Sequence, residues 1–255
     1  MQRNNEIAKK CEDNLASVLG LAMHFLKIIR FDRKNPQQLY SVCLYCRLVE
    51  IAWGCNSLLE SKTLVAIPIL LRSMFEADID LTNLTKKQDY HKHMYASFLK
   101  EKLKITKAAA SDETNPFLTS IREFRLPNED LNEIDKEISQ LKLEKFNALS
   151  IYSRAKRAGR ENEYRTIYNV LCLDTHNNIK SLEDWHIEQI SYDDYHVSAF
   201  KKTKKDLLPY LSTIPGIILQ QTKSLADFLG IEGIEFRKYD GEQAELHEMI
   251  KQVYG

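Results

Sequence analysis

The sequence predicts an all-α protein, a bundle of about seven long helices with one short extended loop or hairpin near 185–196. Glycine and proline are scarce, eight and six in 255 residues, so turns are few and the elements between them long. Apolar side chains recur at helical spacing through most of the chain, and cap signals punctuate the periodic stretches. The length is ample for a sizeable core, and the simplest partition is a single helical bundle over 1–230 followed by a tail, 231–255, with a short amphipathic helix.

The first helix, near 4 to 29, follows from Ile7, Cys11, Leu15, Val18, Leu19, Ala22, Phe25 and Ile29, which share one face. Asn35 followed by Pro36 is an N-cap and N1 pair that opens a second helix to about 59. Its middle is apolar on most sides but carries Arg47 and Glu50, predicting a charge pair in a central helix. A third helix starts at Thr63 or at the Ile67-Pro68 step and runs to about 81, apolar almost all round, which marks it as buried.

A fourth helix, about 89–110, places Tyr90, Met94, Phe98 and Ile105 on one side and Lys100, Lys102, Lys104 and Lys107 around the other, a solvated lysine face. Pro127 starts a long helix to about 158, acidic first and basic last in the order a helix dipole favours. The sixth helix, about 161–182, precedes an extended stretch at 185–196. A last long helix, near 206–228, has Pro209 in its first turn and a predicted kink at Pro215-Gly216, and Gly230 closes it. In the tail, Leu246, Ile250 and Val253 share a face that would dock on the body or on a second subunit.

Lysine plus arginine equals aspartate plus glutamate, so bulk electrostatics do not favour nucleic acid, and RNA binding would require a local basic patch such as Lys201–Lys205. The five cysteines read as reduced thiols, with Cys43 and Cys46 as buried small hydrophobes rather than a redox or zinc pair. No apolar signal region opens the chain, so a cytoplasmic protein without membrane association is expected. His91 and His93 diverge on a helix. His186, Glu188, Asp193, Asp194 and His196 match no strong ligand template, so neither a metal nor a cofactor is expected.

The polar centre lies on the third helix. Arg72 and Glu76, four apart, sit one turn above each other and are expected to pair. Tyr168, Cys172 and His176 form a second stripe at the same spacing on the sixth helix. Arg72, Glu76, Tyr168 and His176 are therefore the candidate site, either as a self-satisfying network that fixes helix register or as the floor of a pocket.

Leu71-Arg72-Ser73-Met-Phe-Glu76, then residues 155–159, then Tyr168-x3-Cys172-x3-His176 resemble the domain of unknown function 5677 family, a group of bacterial all-helical proteins, over roughly residues 36–230. That family carries Ser where Cys172 stands here. The helical layout and the Arg plus His pairing are similar to HEPN domains, often dimeric, metal-independent RNases of toxin and phage-defence systems, although Arg72 and His176 come from different helices and the compact HEPN signature is missing. This resemblance implies an RNase-type site, with His176 as general acid or base, Arg72 on the phosphate, Glu76 orienting and Tyr168 donating. Expected partners are then RNA, a protein partner or antitoxin, and a second copy in a homodimer. The alternative is a non-catalytic helical interaction or scaffold protein whose polar network is structural.

Overall fold

The computed structural model describes residues 2–61, 63–112, 114–119, 127–176, 178–192, 194–197 and 207–254. The described residues are 81% helical, with a two-stranded hairpin as their sheet, and are all-α as the periodicity requires. Eleven α-helical segments stand among the described residues in place of about seven, because two of the expected long helices are broken. The residues pack as two compact units, one of residues 1–86 and 155–255, the other of 87–154.

In the larger unit, α1 (Gln2–Ile28) and α2 (Pro36–Ser61) lead into a 3-10 turn (Leu64–Ala66) and α3 (Ile67–Lys86). Asn35 caps α2 as expected, its Oδ1 accepting from the Gln37 and Gln38 amides at 3.0 and 3.2 Å. α2 and α3 pack against each other and against α10 (Leu208–Leu229), while α1 lies on α2 and α10. Ile7, Leu15, Phe25, Tyr45, Leu48, Met74, Leu81, Ile214, Ile218 and Leu225 fill the space between them. By length and composition α2 could cross a membrane, yet Tyr45, Leu48, Ala52 and Cys55 are buried in this core, and the Tyr45 hydroxyl meets Thr222 of α10 at 2.7 Å.

Arg47 and Glu50 correct one expectation. They lie 4.0 Å apart with side chains 67% and 71% exposed, on the outer face of α2 rather than inside. Cys43 on the same face is exposed and Cys46 half-buried, so this pair is not core filling. Cys11 and Cys55 are buried, and burial pushes both thiols up to about 12.

α10 has Pro209 in its first turn, runs as one helix through Pro215 and ends at Gly230, whose φ of 66° is the left-handed cap that glycine adopts without strain. The tail forms α11 (Arg237–Tyr254), which packs on α1 and α10 through the fully buried Leu246. Polar contacts hold it there: Ser17 donates to Glu242 at 2.7 Å, Asn14 to Gln243 at 3.0 Å, and Lys10 pairs with Glu245 at 2.8 Å. The expected docking of the tail on the body is thus made within the chain.

The smaller unit is built on α4 (Tyr90–Ser111) and α5 (Pro127–Leu143), packed together. On α4 the buried residues are Tyr90, His93, Ala96, Leu99, Thr106 and Ala109, whereas Phe98 and Ile105 are 55% and 46% exposed, so the inward face is rotated from the expected one. His93 is the reason an apolar count misplaces it. Its Nδ1 meets the backbone of Asn147, 2.9 Å from O and 3.2 Å from N, so a polar ring belongs to the core.

The predicted helix from Pro127 to 158 stops at Leu143. Lys145 takes φ 67°, its amide donates to Lys142 O at 3.0 Å, and the Phe146 amide donates to Leu141 O at 2.8 Å, which is a Schellman end with lysine where glycine is usual. α6 (Ile151–Ala158) resumes after it.

Candidate functional site

The expected sixth helix is a jointed arm. After α7 (Glu161–Glu163) the backbone widens into a π-helical turn (Tyr164–Tyr168), tightens into α8 (Asn169–Thr175), and breaks at His176 before α9 (Ile179–His186). Asn178 caps α9, its Oδ1 accepting from the Lys180 amide at 3.0 Å. Asp174 ties the two pieces, accepting from Ser181 at 2.5 Å and from Trp185 Nε1 at 3.2 Å. The extended stretch closes as a hairpin, β1 (Ile187–Gln189) antiparallel to β2 (Tyr195–Val197), with Glu188 opposite His196. Asp193 and Lys201–Lys205 lie outside the described residues.

α3 packs against α8, and three of the four candidate residues meet there. Arg72 Nη2 and Glu76 Oε1 are 3.0 Å apart, the ion pair that the four-residue spacing predicts. Arg72 Nη2 also donates to the Tyr168 hydroxyl at 2.7 Å, and that hydroxyl donates to Glu76 Oε1 at 3.1 Å. The guanidinium lies over the Tyr168 ring, 5.0 Å from its centroid, and Tyr164 stacks on that same ring with centroids 5.1 Å apart. The triangle is half-buried rather than fully enclosed, with the Arg72 and Glu76 side chains 21% and 28% exposed.

The electrostatics follow from this closure. Burial and the adjacent Glu76 carboxylate push the Tyr168 phenol up to about 12, so it stays a neutral donor. Burial works against the Arg72 cation, but Cys172, Glu76 and Tyr168 together hold its pKa above the ordinary value. Arg72 Nε is buried and has no hydrogen-bond partner. Cys172 thus belongs to the arm's contact with Arg72, as the four-residue stripe implies. His176 does not join them: it ends α8 with φ −104° and ψ 30°, its side chain is exposed, and among the described residues no hydrogen bond or ion pair links it to the triangle.

A second polar cluster on α3 escaped the sequence reading. Asp78 is 1% exposed; Gln221 of α10 donates to its Oδ1 at 2.5 Å and to Thr82 at 2.8 Å, and Arg160 Nη2 lies 3.8 Å from its Oδ2. Arg160 also reaches Glu163 at 3.1 Å. Burial raises the Asp78 pKa, and Arg160 and Gln221 pull it back only in part. The signal was available: residues 160, 164, 168 and 172 extend the same stripe upstream by two turns. What hid it was that no basic residue stands one turn from Asp78 on its own helix, its cation Arg160 coming from a distant part of the chain.

No group of three or more candidate metal ligands gathers among the described residues. The arrangement can hold an arm of helix against α3 by charge-assisted hydrogen bonds in a partly dry setting.

Fold and site together define an all-α protein in which one helix of the core is fastened to a jointed helical arm by two ionic clusters. Residues 38–195 match the family described as "Family of unknown function (DUF5677)", and the chain belongs to that family. No curated protein and no solved structure matches the chain.

Proposed function

We propose that this is a non-catalytic helical interaction protein that pairs with a second copy of itself through the outer face of the jointed arm, with Arg72, Glu76 and Tyr168 as the latch that sets the arm's position. The observation that carries this reading is what the arm displays. Ile167, Val170, Leu173, Ile179 and Leu182 are 36–76% exposed on consecutive segments whose inner sides are fastened to the core. A cluster of large apolar side chains on a surface that polar contacts hold in place is the mark of a protein-binding face. The latch supplies the rigidity such a face needs, because an arm free to swing would lose more entropy on pairing.

Light scattering on the full chain tests it. A dimer mass for the wild type and a monomer mass for Val170→Asp/Leu173→Asp, with unchanged helicity, is the expected result. A monomeric wild type, or a double variant that keeps the dimer mass, overturns it.

A metal-independent RNase of a toxin or phage-defence system is the second reading, favoured by one observation: the Arg72 side chain is 21% exposed, so part of its cation faces solvent where a phosphate would meet it. In that chemistry His176, one turn beyond Cys172, takes the proton of a ribose 2'-hydroxyl while Arg72 offsets charge on the phosphate. His176→Ala should then fold normally and lose RNA cleavage. Equal activity, or none in either protein, removes the reading.

A further inference from the structure

The smaller unit contains a cleft of about 360 Å³ between α4, α5 and the turn that follows α5. That is at the small end of the range of ligand pockets, about 300–1,000 Å³. Leu103, Ile138 and Phe146 are half-buried in its wall, and Lys100, Lys142 and Asp135 stand exposed at its edge. The base is fixed, since His93 holds the Asn147 backbone and its ring meets the Phe146 ring edge-on at 5.1 Å.

Among the described residues, several lysines of this unit stand without an ion pair, and two of them border the cleft. Lys92 is paired with Glu144 at 3.1 Å and Lys104 with Glu101 at 2.7 Å, whereas Lys100 and Lys142 form no ion pair among the described residues. Two uncompensated ammonium groups from different helices therefore share the rim of an apolar recess, their stems adding to its wall. With Asp135 on the same rim, the local balance is a single positive charge.

We propose that this cleft binds an amphipathic monoanion, a carboxylate with a short aliphatic or aromatic body. The head sits between Lys100 and Lys142 and the body lies on Leu103, Ile138 and Phe146. A lone inorganic anion would leave the apolar wall wet, and a dianion would meet Asp135. This site is independent of the arm and of its proposed pairing.

Octanoate, with octan-1-ol as its neutral counterpart, is the probe, titrated into the full chain and followed by calorimetry and amide shift mapping. Saturable octanoate binding is expected, with shifts confined to residues 93–103 and 135–148 and octanol weaker by about tenfold. Lys100→Gln/Lys142→Gln should weaken octanoate by roughly tenfold, the scale of two exposed charge contacts, and Asp135→Asn should strengthen it. All three positions are exposed, so these variants do not threaten the fold. Absence of saturable binding, equal affinity for octanol, shifts centred elsewhere, or indifference to the lysine pair would each overturn the assignment.

Discussion

The Tyr168 hydroxyl accepts from Arg72 at 2.7 Å and passes its own proton toward Glu76 at 3.1 Å, so one phenol bridges both halves of an ion pair formed on a different helix. A tyrosine in that position does what a second charge could not. It gives each partner a hydrogen bond without adding a further charge to be desolvated, because its raised pKa keeps it neutral.

Removing the bridge and removing the charge should therefore have distinct costs. Tyr168→Phe leaves the pair intact and should destabilise by about 1–2 kcal/mol, the loss of hydrogen bonds to charged groups. Arg72→Met strands Glu76 and should lose about 2–3 kcal/mol, below the 3–5 of a fully buried pair because both side chains keep some solvent. Arg72→Met/Glu76→Leu should recover most of that loss. Urea unfolding of the three variants checks the order, and equal midpoints would mean that water already screens the pair.

Asp78 makes a pH prediction. Arg160, Glu163 and Lys86 are the charged groups that act on it, and burial outweighs the favourable ones, so its folded pKa lies above the ordinary 3.8. A raised folded pKa means that the native state binds the proton more tightly than the unfolded chain. The group's contribution is therefore full below the unfolded pKa and is lost as pH rises through the folded value. Asp78→Asn should abolish this pH-dependent increment, so that the difference in unfolding free energy between wild type and variant moves in favour of the wild type as pH is lowered toward 4. Parallel pH profiles for the two proteins would show that Asp78 titrates normally.

Much of the fold was legible because apolar spacing and capping act locally: the Asn35 cap, the Gly230 stop, the Arg72–Glu76 pair and the extended stretch before β2 all follow from neighbouring residues. The misses have separate physical causes. Lys145 ends α5 in a conformation that costs a side-chain residue about 1–2 kcal/mol and that sequence assigns to glycine, so tertiary packing chose the break. α8 ends at Thr175, so a stripe drawn at strict four-residue spacing continues to His176 while the chain there has already left the helix. Arg47 and Glu50 lie in an apolar helix, but periodicity alone does not say which side of such a helix carries the remaining exposure. Tyr168 was found and His176 was not brought beside it for the same reason: one precedes the break and the other makes it.

The tail offers a prediction that distinguishes packing within the chain from assembly. Leu246 is fully buried against α1 and α10, and Asn14, Ser17 and Lys10 of α1 each reach a polar side chain of α11. A helix held by a buried leucine and three cross-helix contacts is part of the unit's own core. Leu246→Ala should therefore cost about 2–4 kcal/mol, the range for emptying a buried leucine site, and lower the thermal midpoint without changing the mass measured by light scattering. Were α11 instead a subunit contact, the same substitution would leave a dilute sample's midpoint nearly unmoved and reduce its mass. Measuring midpoint and mass together on Leu246→Ala separates the two, and a loss of mass at constant midpoint would move α11 from the core to an interface.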